Sequence, residues 1–406
     1  MLLKSLRYCS ACIEFIRLRE WLVAMKISRN RMGSLLLGMT ALSAVLLYLV
    51  PFEAGFFLRL IRFREPTLED NERLPVKTVK AGSFTPLKKT ETSHVNIDTE
   101  LRELLKRDQS VLFLIAHRDE IIFEEYFEPD ASVKILNTFS IAKSFTSFLV
   151  GAAIDRGFIQ SLDQKGSEFI HEWRDQSDRE NISVRDLLTM RSGLDWSENV
   201  PPFHWDLLRS YYAVDLWNLI LKRKSAKKPG ENWSYSGADA TALGVILEKA
   251  SGKALPQLAT EWLWEPLGAE SDARWATDFS GKTTKAFSNF FATGRDLLRF
   301  GIMIANEGNV NGISIGNPGY LREMTSAIVD RTEHLGEQGV AYGYQWWIHN
   351  SGDSRVVMAR GYKGQLLLID PVRKIVVVRL AREGDHLSRD LIKAVRSRLS
   401  IWVGSR

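Results

Sequence analysis

The chain has 406 residues, of which 45% are hydrophobic and 25% are charged, as in folded globular proteins rather than disordered or fibrous ones. Its formal net charge is +5, but residues 1–65 carry ten Lys and Arg against four Asp and Glu, which leaves 44 basic and 45 acidic residues for the remainder. The body is therefore nearly neutral, so its net charge does not indicate a surface that binds nucleic acid phosphates.

An uncharged, mostly apolar run of 21 residues occupies positions 32–52 and is long enough to cross the hydrocarbon core of a bilayer. Five basic residues precede it between positions 17 and 31, and three follow between positions 59 and 64. This bias predicts a single-pass signal anchor in the inner membrane, with a cytoplasmic amino terminus and an extracytoplasmic body. A cleaved signal peptide and a buried helix of a soluble domain are the alternatives.

The two cysteines, Cys9 and Cys12, form a C-x-x-C that no second Cys or His pair follows at zinc-finger spacing. We interpret them as incidental thiols of a terminal tail. No disulfide can therefore form within the rest of the chain.

The remaining sequence predicts an α+β fold. Residues 65–94 are polar and without periodicity, which indicates a linker or an extended arm. Strands near both ends of the body, with helices between and after them, predict an antiparallel sheet covered by helices, plus a helical lobe. The predicted strands are 111–117, 121–127, 354–359, 365–369 and 375–380, and the predicted helices are 95–108, 140–156 and 387–403, with a mainly helical middle up to about residue 340.

The first chemical element is the S-x-x-K of Ser140 and Lys143. Residues three apart lie on one face of a helix, so the Lys143 amine is expected within hydrogen-bond reach of the Ser140 hydroxyl. A neutral amine in that place could accept the hydroxyl proton and make the serine a nucleophile. The tetrapeptide alone is also compatible with a helix-capping serine and a solvated lysine.

The second and third elements lie at the ends of predicted helices and strands. Tyr235 lies where the turn of residues 229–237 leads into a helix, so that it can present its phenol to a cleft or pack as an ordinary aromatic residue. Residues 359–365, Ala-Arg-Gly-Tyr-Lys-Gly-Gln, connect two predicted strands. Glycines there allow a close backbone approach, and a strand-edge amide can stabilise an oxyanion, although a plain β-turn is the alternative.

Several motifs in a fixed order resemble the serine β-lactamase and penicillin-binding-protein-like hydrolases over about residues 95–400. Within these, the chain is most similar to the branch of class C β-lactamases, esterases and 6-aminohexanoate-dimer (nylon oligomer) hydrolases. The supporting stretches, besides S-x-x-K, are residues 186–194, 229–237, 291–300 and 342–347. The resemblance implies a β-lactamase/DD-peptidase-like fold and no cofactor or metal.

The resemblance also assigns roles position by position. Ser140 matches the acylated nucleophile, Lys143 its proton-accepting partner, and Tyr235 the tyrosine that passes protons to the leaving group. The backbone amides of Ser140 and Tyr362 match the two oxyanion donors. The remaining positions implied to bind substrate are Gly237, Gly361, Gly364, Gln365, Trp205 and Tyr211. Trp205 and Tyr211 belong to an aromatic-rich stretch that could line an acyl pocket or simply pack in the core.

Two departures from the family pattern narrow the predicted substrate. Gly237 stands where β-lactamases and peptidases have Asn, and the Lys or His that precedes Thr-Gly in their third motif is missing, with Lys363 displaced along the strand. Both departures favour a small ester or amide substrate over β-lactams. The alternatives are a penicillin-binding or β-lactamase-type enzyme, and an acylated sensor of the same fold that does not turn over.

The predicted organisation is a cytoplasmic basic tail (1–31), a transmembrane signal anchor (32–52), a juxtamembrane segment and linker (53–94) and a β-lactamase-like serine hydrolase domain (95–406). The expected partners are a small ester or amide and the membrane, and not nucleic acid. A second serine motif, Gly312-x-Ser314-x-Gly316, formally matches the nucleophile elbow. It lacks the strand before it and the helix after it that the elbow requires, so we do not take it as catalytic.

Overall fold

The computed structural model describes residues 54–90, 95–198, 205–330, 339–351, 354–384 and 389–404. The predicted transmembrane run at 32–52 and the two cysteines lie outside these residues. Within the described ranges, no helix combines the length and the apolar character needed to cross a membrane. The chain forms two compact units. The smaller comprises residues up to Pro66 together with Ser197–Val214, and the larger comprises Thr67–Trp196 together with Asp215–Arg406.

The strands and the helices are each numbered in chain order. The strands are β1 (Val76–Val79), β2 (Lys88–Lys89), β3 (Ser110–His117), β4 (Glu120–Tyr126), β5 (Leu136–Asn137), β6 (Ala273–Ala276), β7 (Phe290–Ala292), β8 (Asn309–Val310), β9 (Ile313–Ser314), β10 (Val329–Asp330), β11 (Val340–Tyr342), β12 (Trp347–Ser351), β13 (Ser354–Gly361), β14 (Gln365–Asp370) and β15 (Ile375–Ala381). The helices are α1 (Ala54–Phe63), α2 (Thr99–Arg107), α3 (Ala142–Asp155), α4 (Val184–Leu188), α5 (Trp205–Tyr211), α6 (Leu216–Leu221), α7 (Gly237–Ser251), α8 (Leu255–Ala259), α9 (Glu265–Leu267), α10 (Gly294–Ala305), α11 (Pro318–Met324), α12 (Arg389–Arg396) and α13 (Leu399–Gly404).

The main sheet of the larger unit has the strand order β10-β11-β12-β13-β14-β15-β3-β4-β2 in the described residues. Its pairs are antiparallel apart from β2 with β4. Strands from both ends of the sequence thus meet at β15 and β3, and the predicted antiparallel sheet is confirmed. One face packs against α2 and α12, and the other packs so tightly against α10 that a Cβ on Gly301 would overlap Val376. Cover on both faces explains why β3 and β15 are buried along almost their whole length.

A second, smaller sheet has the order β1-β6-β7-β5 and was not predicted. Its first strand, β1, pairs antiparallel with β6, so that Val76 faces Ala276. Of the segment predicted as a linker or an extended arm, the described residues contribute β1 to this sheet and β2 to the main sheet. The strands of this small sheet are two to four residues long, too short for an alternating pattern to appear in the sequence.

The helical lobe surrounds α3, the helix that follows the predicted nucleophile. The side chains of α3 from Ala142 to Ala153 are buried all round, which is typical of a helix in the centre of a core. Phe145 of this helix stacks on Phe290 with ring centroids 4.3 Å apart. The last predicted helix, 387–403, is instead two helices, since Ser397 and Arg398 form a turn between α12 and α13.

Candidate active site

The Lys143 side chain reaches back to Ser140, as the three-residue spacing predicts. Ser140 lies in a 3-10 turn, Phe139–Ile141, that leads directly into α3. The Nζ of Lys143 is 3.3 Å from the Oγ of Ser140. Ser140 is partly exposed, whereas Lys143 is only 1% exposed. The hydroxyl can therefore be reached from outside while its amine partner is shielded from water.

A backbone carbonyl holds the Lys143 amine from its other side. The Nζ donates to the carbonyl oxygen of Phe287 at 2.9 Å. A carbonyl can only accept, so one N–H of the amine is used there in either protonation state. In its neutral form the amine still has a lone pair with which to accept the hydroxyl proton of Ser140. The two contacts together orient the amine for proton transfer.

The loop of residues 285–288 that carries this carbonyl is fixed by side chains from two other elements. The indole Nε1 of Trp275 on β6 donates to the carbonyls of Lys285 at 2.9 Å and Ser288 at 3.2 Å. The hydroxyl of Thr146 on α3 donates to the carbonyl of Ala286 at 2.9 Å. Sequence reasoning missed this loop, because a backbone acceptor can be supplied by any residue type.

The nucleophile turn itself has an unusual backbone. Phe139, directly before Ser140, has φ +48°, a left-handed conformation that costs a bulky residue on the order of 1–3 kcal/mol. Its amide donates to the side-chain oxygen of Asn137 at 2.9 Å. Its buried ring meets Tyr362 edge-on at 5.6 Å. The strain is thus held by local contacts next to the serine, as is common at functional sites.

Tyr235 lies next to the lysine in a wall of aromatic rings. The Nζ of Lys143 is 4.6 Å from the centroid of the Tyr235 ring. That ring stacks on Trp347 at 5.6 Å and meets Tyr342 edge-on at 6.4 Å, and Trp233 completes the group. The structure therefore brings Ser140, Lys143 and Tyr235 together, although 92 residues of sequence separate Tyr235 from Lys143.

A buried carboxylate ties the Tyr235 segment to a neighbouring loop. Asp239 in the first turn of α7 accepts hydrogen bonds from the hydroxyls of Ser192 at 2.7 Å and Ser236 at 2.9 Å. Burial raises the pKa of Asp239 to about 7. The amide of Ser234 also donates to the carbonyl of Met190 at 2.9 Å. Tyr235 is thus flanked on both sides by residues bonded to the loop of Met190–Ser192. Sequence reasoning missed Asp239, which in the sequence is only an ordinary residue of the first helical turn.

The turn between β13 and β14 passes directly beside the nucleophile. A Cβ on Gly361 would overlap the carbonyl oxygen of Thr138, so only glycine allows this approach. Tyr362–Gly364 then form a 3-10 turn, in which Lys363 has φ +60° and Gly364 has φ +77°. This places the predicted oxyanion residue, Tyr362, against the Ser140 turn, with its side chain 40% exposed.

Gln365 supports this turn from within the protein, and its predicted contact with substrate stays a prediction. Its buried amide group donates to the carbonyls of Tyr362 at 3.0 Å and Ala381 at 2.8 Å, and it accepts from the amide of Ala381 at 2.9 Å. The guanidinium of Arg379 adds a bond to the carbonyl of Gly364 at 2.9 Å, and burial lowers the pKa of Arg379 to about 10. The donors and acceptor of the Gln365 side chain are thus engaged with backbone.

The other predicted substrate-binding residues lie in different places. Gly237 is the first residue of α7 and is buried two positions after Tyr235. Trp205 and Tyr211 are the first and last residues of α5 in the smaller unit, where the Tyr211 ring lies 5.1 Å from that of Tyr212. The roles of these three residues stay predictions. Ser314 of the rival motif lies on the two-residue strand β9, paired with β8, and not on a strand–helix elbow.

Comparisons with known proteins bear on the family and the fold. A sequence profile described as Beta-lactamase matches residues 97–398. The 6-aminohexanoate-dimer hydrolase of Paenarthrobacter ureafaciens is 26% identical over 314 residues, which cover 71% of this chain and 77% of that protein. Among solved structures, a Bacillus anthracis protein provisionally assigned as a 6-aminohexanoate-dimer hydrolase superposes with a TM-score of 0.73 at 20% identity, covering 82% of this chain and 93% of that one. A family VIII carboxylesterase superposes with a TM-score of 0.57 at 16% identity, covering 80% and 100%. The predicted β-lactamase/DD-peptidase-like fold is confirmed.

Proposed function

Because this chain belongs to the beta-lactamase family, whose profile covers most of its larger unit, we propose that it is a serine hydrolase that cleaves a small ester or amide through an acyl-enzyme. The observation that carries the proposal is the contact between the shielded Lys143 amine and the partly exposed Ser140 hydroxyl. A nucleophile needs an adjacent base to act at neutral pH, and this pair supplies both.

In the proposed reaction, the Oγ of Ser140 attacks the carbonyl carbon of the substrate while its proton passes to the Nζ of Lys143. The carbonyl oxygen becomes an oxyanion, which the amides of Ser140 and Tyr362 stabilise. Tyr235 delivers a proton to the leaving alcohol or amine as the carbonyl reforms and the scissile bond breaks. Water then attacks the acyl carbon and passes a proton to the Tyr235 phenolate. The bond to the Ser140 Oγ breaks and Lys143 returns its proton to that oxygen, which releases the acid and restores all three side chains.

The proposed substrate class is an uncharged or zwitterionic ester or amide rather than a β-lactam. Gly237 replaces the Asn of β-lactamases, and Ala359 and Arg360 precede Gly361 where those enzymes have Lys-Thr or His-Thr. The named relatives, a 6-aminohexanoate-dimer hydrolase and a carboxylesterase, point to the same class. The aromatic wall around Tyr235 supports an apolar acyl or leaving group.

The test compares wild type with Ser140→Ala and Ser314→Ala. A fluorophosphonate probe reports the nucleophile, and hydrolysis of a short-chain p-nitrophenyl ester reports turnover. We expect Ser140→Ala to lose both signals and Ser314→Ala, which removes the serine of the rival motif, to keep both. Labelling of Ser140 without ester or amide turnover would favour the non-turnover sensor, and labelling that does not depend on Ser140 would overturn the proposal.

A substrate panel then separates the enzyme classes. It contains p-nitrophenyl esters, the linear 6-aminohexanoate dimer and nitrocefin. We expect turnover of an ester or the amide and weak or absent turnover of nitrocefin. Rapid nitrocefin hydrolysis would favour the β-lactamase-type alternative instead.

We also propose that the hydrolase domain lies on the extracytoplasmic side of the inner membrane. This rests on the uncharged run at 32–52 and on the five basic residues before it against three after it. Alkaline phosphatase fused after residue 66 is active only when it is exported, and green fluorescent protein fused there fluoresces only when it is not. An active phosphatase fusion and a dark fluorescent-protein fusion are expected, and the reverse would contradict the orientation.

A further inference from the structure

The short helix α1 in the smaller unit is apolar on two opposite sides. It contains ten residues, and its charged members are Arg59 and Arg62. One side packs against Tyr212, whose ring stacks on Phe63 at 6.2 Å and lies 6.5 Å from Phe56. A helix that packs on one side and faces water on the other normally carries its charges on the second side.

In α1, Arg62 is exposed as expected, but Arg59 and two aliphatic residues depart from this arrangement. The Nε of Arg59 turns inward and donates to the carbonyl of Tyr212 at 2.8 Å. Leu58 and Ile61, three residues apart and therefore on one face, point outward and are 67% and 74% exposed. A half-buried cation beside two outward aliphatic side chains is unfavourable in water but suits an apolar exterior.

The position of α1 in the chain indicates what that exterior is. The helix begins at Ala54, two residues after the uncharged run of 21 residues ends at Phe52. Arg62 and Arg64 lie exposed near its carboxyl end, beside a single exposed acid, Glu65. Arginines that flank outward apolar residues are the pattern of a helix at a lipid headgroup layer, where the guanidinium groups can reach phosphate.

We infer that α1 lies along the surface of a phospholipid bilayer, with Leu58 and Ile61 inserted into the interfacial layer and Arg62 and Arg64 at the phosphates. The contact of Tyr212 with α1 fixes this helix to the rest of the smaller unit. The segment from Trp205 to Tyr212 is therefore held at the membrane by its packing on α1.

The test uses the full chain, reconstituted into vesicles of phosphatidylethanolamine and phosphatidylglycerol. In a background with Cys9→Ser and Cys12→Ser, single cysteines are introduced as Leu58→Cys and Ile61→Cys and labelled with the environment-sensitive nitrobenzoxadiazole fluorophore. The matched control is Val372→Cys, which is 73% exposed in the turn between β14 and β15. Near-ultraviolet circular dichroism verifies that each labelled protein is folded.

Phospholipids brominated in the acyl chain quench fluorophores that are inserted into the bilayer. We expect them to quench labels at positions 58 and 61 about twofold, as for groups buried roughly 5–10 Å into the interface, and to leave position 372 unchanged. Equal quenching at all three positions would overturn the inference, since the label itself would then partition into lipid. Labels at 58 and 61 that are shielded from iodide but not quenched by bromine would also overturn it, because protein, such as a second copy of the chain, would then cover this face.

Discussion

The Lys143 amine and the Phe287 carbonyl, 144 residues apart in the sequence, are joined by a hydrogen bond of 2.9 Å. This bond holds the amine from one side, and the Ser140 hydroxyl lies 3.3 Å from the same nitrogen. The geometry of the proposed proton transfer therefore depends on the loop of residues 285–288 as much as on the S-x-x-K helix.

Trp275→Phe should impair catalysis although the Trp275 indole bonds to the loop of residues 285–288 and not to Ser140 or Lys143. The change removes the indole N–H that holds the carbonyls of Lys285 and Ser288, so the Phe287 carbonyl between them loses its fixed direction. We expect kcat for ester hydrolysis to fall about tenfold, since small misplacements of catalytic groups are costly, while KM changes little. Steady-state kinetics measure both.

Trp264→Phe is the matched control for this variant. Trp264 is also fully buried and also packs on Phe290, and its indole N–H donates to a single carbonyl, that of Ser271 at 2.8 Å, rather than to two. Both variants should lose a similar unfolding free energy, on the order of 2–4 kcal/mol, because each loses a buried indole N–H donor and leaves a small cavity. An equal loss of kcat in both variants would mean that Trp275 acts only through overall stability.

Lys143→Met should abolish most acylation while keeping the fold. Methionine fills a similar volume but cannot accept the Ser140 proton, so the rate of fluorophosphonate labelling should fall about 10²–10⁴-fold. Because the two side chains act as one unit, the double variant with Ser140→Ala should be no less active in ester hydrolysis than Ser140→Ala alone. A Lys143→Met protein that is labelled at the wild-type rate would exclude Lys143 as the base.

Gly361→Ala should reduce activity through a backbone collision. The added methyl group would overlap the carbonyl oxygen of Thr138, so the β13 end or the Ser140 turn must move. We expect kcat to fall about 10²-fold, as displacement of reacting groups by about an ångström can cause. Gly281→Ala is the control, since Gly281 has φ +75° but no neighbour within 4 Å of an added Cβ. It should lose stability without losing activity.

The sequence predicted the parts of this molecule that depend on local spacing. The Ser140–Lys143 contact follows from helical geometry, and the β3–β4 hairpin from two apolar runs around Arg118–Glu120. The contacts that complete the site join distant segments, as in Lys143 with Phe287 and Ser192 with Asp239. The acceptor in these contacts is a backbone carbonyl or a carboxylate in the first turn of a helix. Neither group leaves a distinctive pattern in a single sequence.

Gln365 illustrates why the direction of a side chain within a motif is hard to predict from the sequence. The Gly361–Gln365 turn lies beside the nucleophile, as the resemblance implied, but the Gln365 side chain points into the protein and bonds to Tyr362 and Ala381. Side-chain direction at a turn depends on backbone angles such as φ +60° at Lys363. A non-glycine residue rarely adopts such an angle, so the sequence does not predict it.

The Asp239 carboxyl should make the stability of the protein fall as pH rises. Burial raises the pKa of Asp239 to about 7, and the nearby carboxyl of Asp186 acts in the same direction. In the unfolded chain the pKa of an aspartate is about 3.9. Between these two values the folded state binds more protons than the unfolded state, so the free energy of unfolding decreases with pH. The stabilising contribution of Asp239 is complete at pH values below the pKa of the unfolded state. It is lost as pH rises through the pKa of the folded state.

Asp239→Asn removes this titration, so the stability of wild type relative to the variant should decline by a few kcal/mol as pH rises from about 4 to about 7. Urea unfolding at several pH values measures the difference, and groups that titrate equally in both proteins cancel from it. Asp296→Asn is the matched comparison: Asp296 forms the same type of cap with Thr293 in the first turn of α10, and burial raises its pKa to about 6. Its difference curve should level off about one pH unit lower. Parallel stability curves for wild type and Asp239→Asn would show that Asp239 is already ionised in the folded protein, held by the Ser192 and Ser236 hydroxyls.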